Sequence, residues 1–137
     1  MSTRQVVIDS SIAVKWLKPQ GELHVDEAFA LLEAHRIGEI ELTAPTHLLL
    51  EAMNALWSHH ATTERLHEAL GQLLGLRMTL IPPDAALLQR AAELAVSHRL
   101  TIYDAVFAAL AESLDSELVT DDRRLAASGA CNVRALG

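Results

Sequence analysis

Five acidic residues in four separate segments of this sequence are candidate ligands of a metal ion. They are Asp9, Glu51, Asp104, Asp121 and Asp122. Several carboxylates that converge without basic partners repel one another, and a hard divalent cation with oxygen ligands relieves that repulsion. Mg²⁺ typically binds through a few carboxylates and keeps several waters. Such a site can activate water and stabilise an in-line phosphoryl displacement.

Most of these acids also have an ordinary structural explanation. Asp9 could be the N-cap of a helix, a position that Asp favours. Asp104 could be stabilised by the N-terminus of its own helix, and Thr120 could cap a helix whose first turn contains Asp121 and Asp122. The set of acids, rather than any one of them, therefore indicates a metal site.

Glu51 lies in the most informative segment. Residues 48–57 are apolar except for Glu51 and Asn54, and His47 and Ser58 continue the same spacing of four, three and four residues. Residues at this spacing share one face of a helix. A solvated stripe is the alternative, but solvated stripes are usually wider and richer in Lys and Arg. We therefore expect this one to line a polar cleft.

Secondary structure must position these side chains, and the hydrophobic pattern predicts strands that alternate with helices. The continuous apolar run 6–8 predicts a strand buried on both faces, as in a parallel sheet. Further strands are predicted at 39–43, 78–81, 117–120 and, as an edge strand, 132–135. Helices are predicted at 12–17, 22–37, 45–60, 62–75, 82–98, 101–113 and 121–128.

This alternation predicts an α/β fold with a parallel sheet and helices on both faces. The length of 137 residues predicts a single domain, 1–137. In such sheets ligands bind beyond the carboxyl ends of the strands. Asp9, Asp104 and either Asp121 or Asp122 fall at a strand end or a helix start, so we expect them to share that edge with Glu51.

Composition narrows the class of protein. Hydrophobic residues make up 50% of the chain, and Cys131 is the single cysteine, which excludes an intramolecular disulfide and fits a reducing compartment. No apolar stretch is long enough for a membrane helix or a signal peptide. We expect a cytoplasmic protein with no membrane partner. The net charge of −7 argues against nucleic-acid binding by the protein alone, although a bound cation could supply positive charge.

The ordered motifs of the whole chain resemble those of the PIN-domain family. More narrowly, the chain is similar to the VapC-type toxins of bacterial toxin–antitoxin pairs. The motifs are Val6-Val7-Ile8-Asp9-Ser10-Ser11, Glu51-Ala52-Met53-Asn54, Tyr103-Asp104-Ala105 and Leu118-Val119-Thr120-Asp121-Asp122. The resemblance implies a three-layer α/β/α PIN-like domain with a central parallel sheet of four to five short strands.

The resemblance also implies an activity and a set of site residues. It implies an endoribonuclease that depends on Mg²⁺ or Mn²⁺, with Asp9, Glu51 and Asp104 as catalytic metal ligands. The Thr-x-Asp pattern of the family places the fourth acid at Asp122, so that Asp121 would lie on the rim near solvent. The implied partners are an RNA substrate, a second copy of the chain in a homodimer, and a cognate antitoxin that covers the site.

Other residues are candidates for supporting roles. Ser10 or Thr120 could orient a ligand or the phosphate, and Asn54 and Asp121 are further candidates. Basic residues could contact RNA phosphates, although solvated helix faces are their commoner place: Lys15, Lys18, Arg123 and Arg124. The apolar residues of the helices from 45 to 75 predict a dimer surface. These are Leu56, Trp57, Leu66, Leu70, Leu73 and Leu74.

Two other functions remain open from the sequence. A receiver-like or phosphatase-like domain would use Asp9 as a covalent nucleophile, but no lysine partner is evident near the last strand. A PIN-like binding module that has lost catalysis is the other, and the presence of all four acids argues against it.

Overall fold

Five parallel strands alternate with seven helices in the computed structural model, which describes residues 3–137. The strands are β1 (Arg4–Ile8), β2 (Ile40–Pro45), β3 (Thr79–Ile81), β4 (Glu117–Thr120) and β5 (Val133–Ala135). The helices are α1 (Ser10–Leu17), α2 (Val25–Arg36), α3 (His47–Trp57), α4 (Thr63–Gly75), α5 (Ala85–His98), α6 (Ile102–Ser113) and α7 (Arg123–Ala126).

The strand order places β1 in the middle of the sheet. The order is β3-β2-β1-β4-β5, and every neighbouring pair is parallel. Val6, Val7 and Ile8 are completely buried, because β1 is covered by helices on both faces. The prediction of a central strand buried on both faces is confirmed, and the residue that follows it lies at the middle of the carboxyl edge.

The crossover connections separate the helices into two layers. The chain moves outward from β1 to β2 and β3, and then returns across the sheet to β4. Because such crossovers are right-handed, the two directions place their helices on opposite faces. In agreement, α6 packs across β1, β2 and β4 with α5 on its outer side, whereas α1 packs with α2, α3 and α4. The predicted three-layer α/β/α fold is confirmed.

Helix α6 is the central helix of its layer. Residues 105–111 are all buried, which explains why this segment is apolar nearly all round. Within residues 3–137 no single helix is both long and apolar enough to cross a bilayer. In this described part of the chain, only α5 and α6 taken together reach that length and apolarity, and they are bent by 114°.

Several helix boundaries differ from the predicted ones by two or three residues, among them those of α2, α3 and α7. Helix α2 begins at Val25 rather than at residue 22, because His24 before it has a left-handed φ of 57°. Helix α3 ends at Trp57, close to the left-handed His60. Helix α7 is shorter than 121–128, and its N-cap is Asp122. The alternative of Thr120 as that cap is wrong, because the Asp122 carboxylate accepts the first backbone N–H groups of the helix, those of Arg124 and Leu125.

Candidate active site

The acid cluster is defined here as Asp9, Glu51, Asp104 and Asp122, which lie at the carboxyl edge of the sheet. Asp9 directly follows β1, and Asp122 follows the neighbouring strand β4. Glu51 comes from the second turn of α3, and Asp104 from the first turn of α6. The ends of two strands and one helix from each layer thus bring together the four acids that the sequence selects.

Two hydroxyl groups hold the buried carboxylate of Asp9. The Ser11 hydroxyl donates to Asp9 Oδ1 at 2.5 Å, and the Thr120 hydroxyl donates to Asp9 Oδ2 at 2.5 Å. The Ser11 backbone N–H also donates to Oδ1, so Asp9 is the N-cap of α1. Each hydroxyl has one proton to donate and gives it to Asp9. Asp9 is therefore both a helix cap and the residue that connects the ends of β1 and β4.

The same hydroxyl oxygens accept hydrogen bonds from the turn after β4. The backbone N–H of Asp121 donates to Ser11 Oγ at 2.9 Å, and that of Asp122 donates to Thr120 Oγ1 at 2.9 Å. The turn is thereby fixed to the carboxylate of Asp9 through two side chains. Thr120 is completely buried, which makes this a permanent part of the site.

Burial makes Asp9 a weaker acid than usual. It raises the pKa of Asp9 to about 6, and the charges of Asp104 and Asp122 contribute to the increase. The hydrogen bonds from Ser11 and Thr120 act in the opposite direction, because they stabilise the ionised form. The pKa therefore reports a carboxylate that is withdrawn from water and surrounded by other acids.

Glu51 is perturbed further, and one of its oxygens has no partner. Burial raises the pKa of Glu51 to about 7, with the charges of Asp104 and then Asp9 as further causes and the Ser10 hydroxyl opposing them. Glu51 Oε1 is buried and accepts no hydrogen bond, since His47 Nε2 is 3.6 Å away. A buried carboxylate oxygen without a donor is costly for the fold and available to a ligand.

The polar stripe on α3 is enclosed only at its N-terminal end. The side chains of His47 and Glu51 are 15% and 29% exposed, whereas Asn54 and Ser58 are exposed. The Ser58 hydroxyl donates to the Asn54 carbonyl of its own helix. The expected polar cleft therefore receives the first two residues of the stripe, and the last two face solvent.

His47 connects α3 to the start of α6. Its Nε2 lies 3.1 Å from the carbonyl oxygen of Tyr103, and its ring packs against Phe107 with ring centres 4.5 Å apart. Burial lowers the pKa of His47, which favours the neutral ring. His47 therefore positions the turn that carries Asp104 without supplying a full positive charge to the acids.

Asp104 and Asp122 repel each other across the cluster. Burial first and the charge of Asp122 second raise the pKa of Asp104, against smaller opposing effects of Thr101, Arg124 and His47. Asp122 Oδ1 accepts from the backbone N–H groups of Arg124 and Leu125, so that carboxylate also caps α7. Asp122 therefore both caps α7 and adds negative charge to the acid cluster.

Asp121 is not part of this repulsion. Its Oδ2 lies 2.8 Å from the ammonium of Lys15, and its side chain is 22% exposed. Asp121 is thus partly exposed, as a rim residue would be, but its carboxylate turns inward to a buried cation, which the sequence did not predict. Asp122 is the residue of the pair that faces Asp9 and Asp104.

Sequence reasoning missed the roles of Ser11 and Lys15. The expectation of a solvated or phosphate-binding Lys15 is wrong, since its side chain is only 1% exposed. Lys15 reaches the turn after β4, where it pairs with Asp121 rather than with Asp9. A single lysine within the apolar stretch 12–17 was the available signal, together with the four-residue spacing from Ser11 that places both on one helix face.

The donor set fits a hard divalent cation that retains water. Within residues 3–137, no Lys or Arg forms a salt bridge with Asp9, Glu51, Asp104 or Asp122. In the same range, no three His, Cys, Asp or Glu side chains are close enough to ligate one ion directly. Mg²⁺ commonly binds through one or two carboxylates and several waters, so coupled but separated acids suit it.

Known proteins share this fold and part of this sequence. The family described as PIN domain matches residues 6–129. Ribonuclease VapC3 from Pyrobaculum aerophilum is 31% identical over 127 residues, which are 89% of this chain and 92% of the relative.

Two solved structures of lower identity share the fold. One is Mycobacterium tuberculosis VapC20, a toxin that cleaves the sarcin–ricin loop, with a TM-score of 0.74, 19% identity and coverage of 94% of this chain and 98% of that chain. The other is a toxin–antitoxin complex from Klebsiella pneumoniae, with a TM-score of 0.68, 16% identity and coverage of 94% and 95%. The match over residues 6–129 and the relative at 31% identity establish that this chain belongs to the PIN-domain family.

Proposed function

We propose that this protein is a metal-dependent endoribonuclease and the toxin of a toxin–antitoxin pair. The observation that carries the proposal is the acid cluster: four mutually repelling carboxylates at the carboxyl edge of the sheet that no Lys or Arg among residues 3–137 neutralises. Clusters of perturbed acids of this kind are typical of functional sites.

The similar proteins support the choice of substrate and partner. A relative at 31% identity is a ribonuclease, and VapC20 cleaves the sarcin–ricin loop. A structural neighbour was solved as a toxin–antitoxin complex. By this similarity the substrate is RNA, and a cognate antitoxin covers the site.

Mg²⁺ or Mn²⁺ would be held by Asp9, Glu51, Asp104 and Asp122. When bound, the cation would supply the positive charge that lets these acids ionise together, activate water and stabilise the phosphoryl group. Glu51 Oε1 is buried and has no hydrogen-bond donor, which leaves this oxygen available to the cation.

Supporting residues set the position and charge of these acids. Thr120 fixes Asp9 through a hydrogen bond, and the Ser10 hydroxyl lowers the pKa of Glu51. Asn54 is exposed one turn beyond Glu51, where it can meet the RNA chain. Asp121 acts on the site indirectly, through its backbone N–H to Ser11.

The proposed homodimer would use the outer faces of α3 and α4. Leu50, Trp57 and Leu74 are 70%, 61% and 51% exposed there, whereas Leu56 and Leu73 belong to the core. Exposed apolar residues on neighbouring helices are typical of an interface. Sedimentation should give a dimer at micromolar concentration, and Trp57→Ser should shift it toward monomer. A stable, active wild-type monomer would contradict this.

Cleavage of total RNA by the purified protein tests the proposed activity. We expect cleavage with Mg²⁺ or Mn²⁺, none with EDTA, and recovery when excess Mn²⁺ is added. Ca²⁺ should bind without supporting turnover, because its coordination is looser. Asp104→Asn protein purified identically controls for contaminating ribonucleases. Cleavage that persists in EDTA, or an equally active Asp104→Asn variant, would overturn the proposal.

A further inference from the structure

Lys15 is a buried cation whose three hydrogen-bond donors are all used. Its Nζ lies 2.8 Å from Asp121 Oδ2, 3.0 Å from Glu22 Oε1 and 2.6 Å from the carbonyl oxygen of Leu23. An ammonium has three N–H groups, so these three acceptors satisfy it completely. A fully satisfied ammonium has no donor left for a substrate phosphate, and its side chain is only 1% exposed.

Lys15 and Ser11 hold the same residue of the turn after β4. They are four positions apart on α1 and lie on one helix face. Lys15 binds the side chain of Asp121, and Ser11 accepts the Asp121 backbone N–H while donating its own proton to Asp9. Helix α1 therefore holds Asp121 through two side chains, Lys15 and Ser11. The second of these, Ser11, is also hydrogen-bonded to Asp9.

The ion pair keeps one negative charge away from the acid cluster. The charges that raise the pKa of Asp9 are those of Asp104 and Asp122, although Asp121 is the neighbour of Asp122 in sequence. Loss of the ammonium would leave Asp121 with an unpaired and largely buried carboxylate. Such a charge is strongly unfavourable, so the turn would have to rearrange to expose it.

We propose that Lys15 is a positioning residue of the acid cluster, which acts by binding the Asp121 carboxylate so that Asp122 alone faces Asp9 and Asp104. This inference rests on the proposed metal-dependent RNA cleavage. It assigns to Lys15 no contact with RNA or with the cation. The need for Lys15 therefore depends on the charge of Asp121 and disappears when that charge is removed.

The test is a double-mutant cycle with Lys15→Met and Asp121→Asn, assayed on a fluorogenic RNA that the wild type cleaves. Lys15→Met should lower kcat by about 10-fold to about 100-fold, because small displacements of catalytic groups have effects of that size. Its KM for RNA should stay within about twofold of wild type, since Lys15 does not contact the substrate. Arg36→Met, which also removes a salt-bridged cation but at an exposed position at the C-terminal end of α2, is the control and should keep wild-type activity.

Adding Asp121→Asn to Lys15→Met should restore kcat to within about threefold of wild type, because the unpaired charge is then gone. A Lys15→Met variant with wild-type kcat overturns the proposal, and so does a folded double variant that stays inactive. A raised KM with unchanged kcat would instead mean that Lys15 binds RNA. If Lys15→Met does not fold, the double variant alone decides, since the proposal requires it to be active.

Mn²⁺ titration separates failure of this inference from failure of the proposed function. If the wild type cleaves no RNA, the proposed function fails. The double-mutant cycle is then evaluated from the Mn²⁺ affinities of the four proteins instead of from kcat. Lys15→Met should change that affinity by about tenfold, and the double variant should return toward wild type. Equal affinities in all four proteins would overturn the positioning role.

Discussion

Carboxylates at the two ends of the sheet differ in whether basic side chains pair with them. At the amino end, Glu117 at the start of β4 lies 3.2 Å from Arg4 of β1 and 3.2 Å from Arg134 of β5. At the carboxyl end of the same strands, Asp9 and Asp122 have no such partners among residues 3–137. One strand length, about 15 Å at about 3.3 Å per residue, therefore separates a carboxylate balanced by two guanidinium groups from carboxylates that are balanced by none.

The presence or absence of a basic partner distinguishes carboxylates that stabilise the fold from carboxylates that are available to a ligand. Glu117 is neutralised within the protein and connects three strands. Asp9 and Glu51 have raised pKa values because the fold withdraws them from water without supplying a cation. Functional sites commonly retain such unfavourable arrangements, and a bound ion relieves them. Substitutions at the two ends should therefore separate activity from stability.

The largest effect is expected from Asp104→Asn. Removing this carboxylate should lower metal-dependent RNA cleavage by about 1000-fold, the scale seen when a group essential for transition-state stabilisation is lost. Stability without metal should be unchanged or higher, because the raised pKa of Asp104 shows that the fold disfavours its charge. Initial rates of RNA cleavage and thermal unfolding in EDTA measure the two quantities.

A loss of roughly 0.3–1 kcal/mol in the stability of Asp104→Asn would contradict this separation. It would mean that Asp104 serves α6 as a helix-terminal carboxylate, with a contribution of roughly 0.3–1 kcal/mol at the helix N-terminus. Thr101 already caps that helix through the Asp104 backbone N–H, which the substitution keeps.

Asp122→Asn should have the next largest effect and Asp121→Asn a small one. Asn keeps the capping oxygen that α7 needs but removes the charge that reaches Asp9 and Asp104, so cleavage should fall by about 100-fold. Asp121→Asn leaves Lys15 with Glu22 and the Leu23 carbonyl, so activity should change by less than about threefold.

Parallel assays of the two variants test the register of the Thr-x-Asp motif. The reverse order of activities would show that the fourth acid of the cluster is Asp121. Equal and large losses would show that the turn after β4, rather than one carboxylate, is what the site requires.

The sequence was sufficient to place the acids but not their partners. Asp9 could be assigned to the carboxyl edge because the apolar run 6–8 predicts a buried strand, and a residue after such a strand has only one possible position. The Lys15–Asp121 pair could not be predicted, because it joins residues 106 positions apart whose contact depends on packing of α1 beside the end of β4. The predicted start of α7 was wrong as well, since the side chain of Asp122, and not that of Thr120, accepts the first N–H groups of the helix.

The stability of the metal-free protein should fall as the pH rises. The pKa values of Asp9 and Glu51 are about 6 and about 7, above their ordinary values of 3.8 and 4.5. Between the ordinary and the raised values the folded state binds more protons than the unfolded state, so increasing pH lowers the free energy of unfolding. The loss should be on the order of 1 kcal/mol between pH 5 and pH 8, after allowance for solvent screening.

Saturating Mn²⁺ should flatten or reverse this dependence, because a bound cation favours the ionised acids. Urea unfolding at several pH values, in EDTA and in Mn²⁺, measures both slopes. Glu51→Gln should flatten the slope in EDTA between about pH 6 and about pH 8, since it removes the group that titrates highest. Stability that increases with pH in EDTA would show that the acids are already neutralised within the protein.

Glu117→Gln, at the amino end of the sheet, should have the smallest effect and the opposite character. Glu117 is 15% exposed, while Arg4 and Arg134 are 64% and 46% exposed and remain hydrated when their partner is neutralised. The loss of stability should therefore be about 0.5–1 kcal/mol, as for other partly exposed ion pairs, and added salt should reduce it. RNA cleavage should stay within about twofold of wild type, because β1 and β4 remain paired and the carboxyl edge is unchanged. A strong loss of cleavage in Glu117→Gln would mean that charge at the amino end is coupled to the acid cluster through the strands. The two ends of the sheet would then form one electrostatic unit.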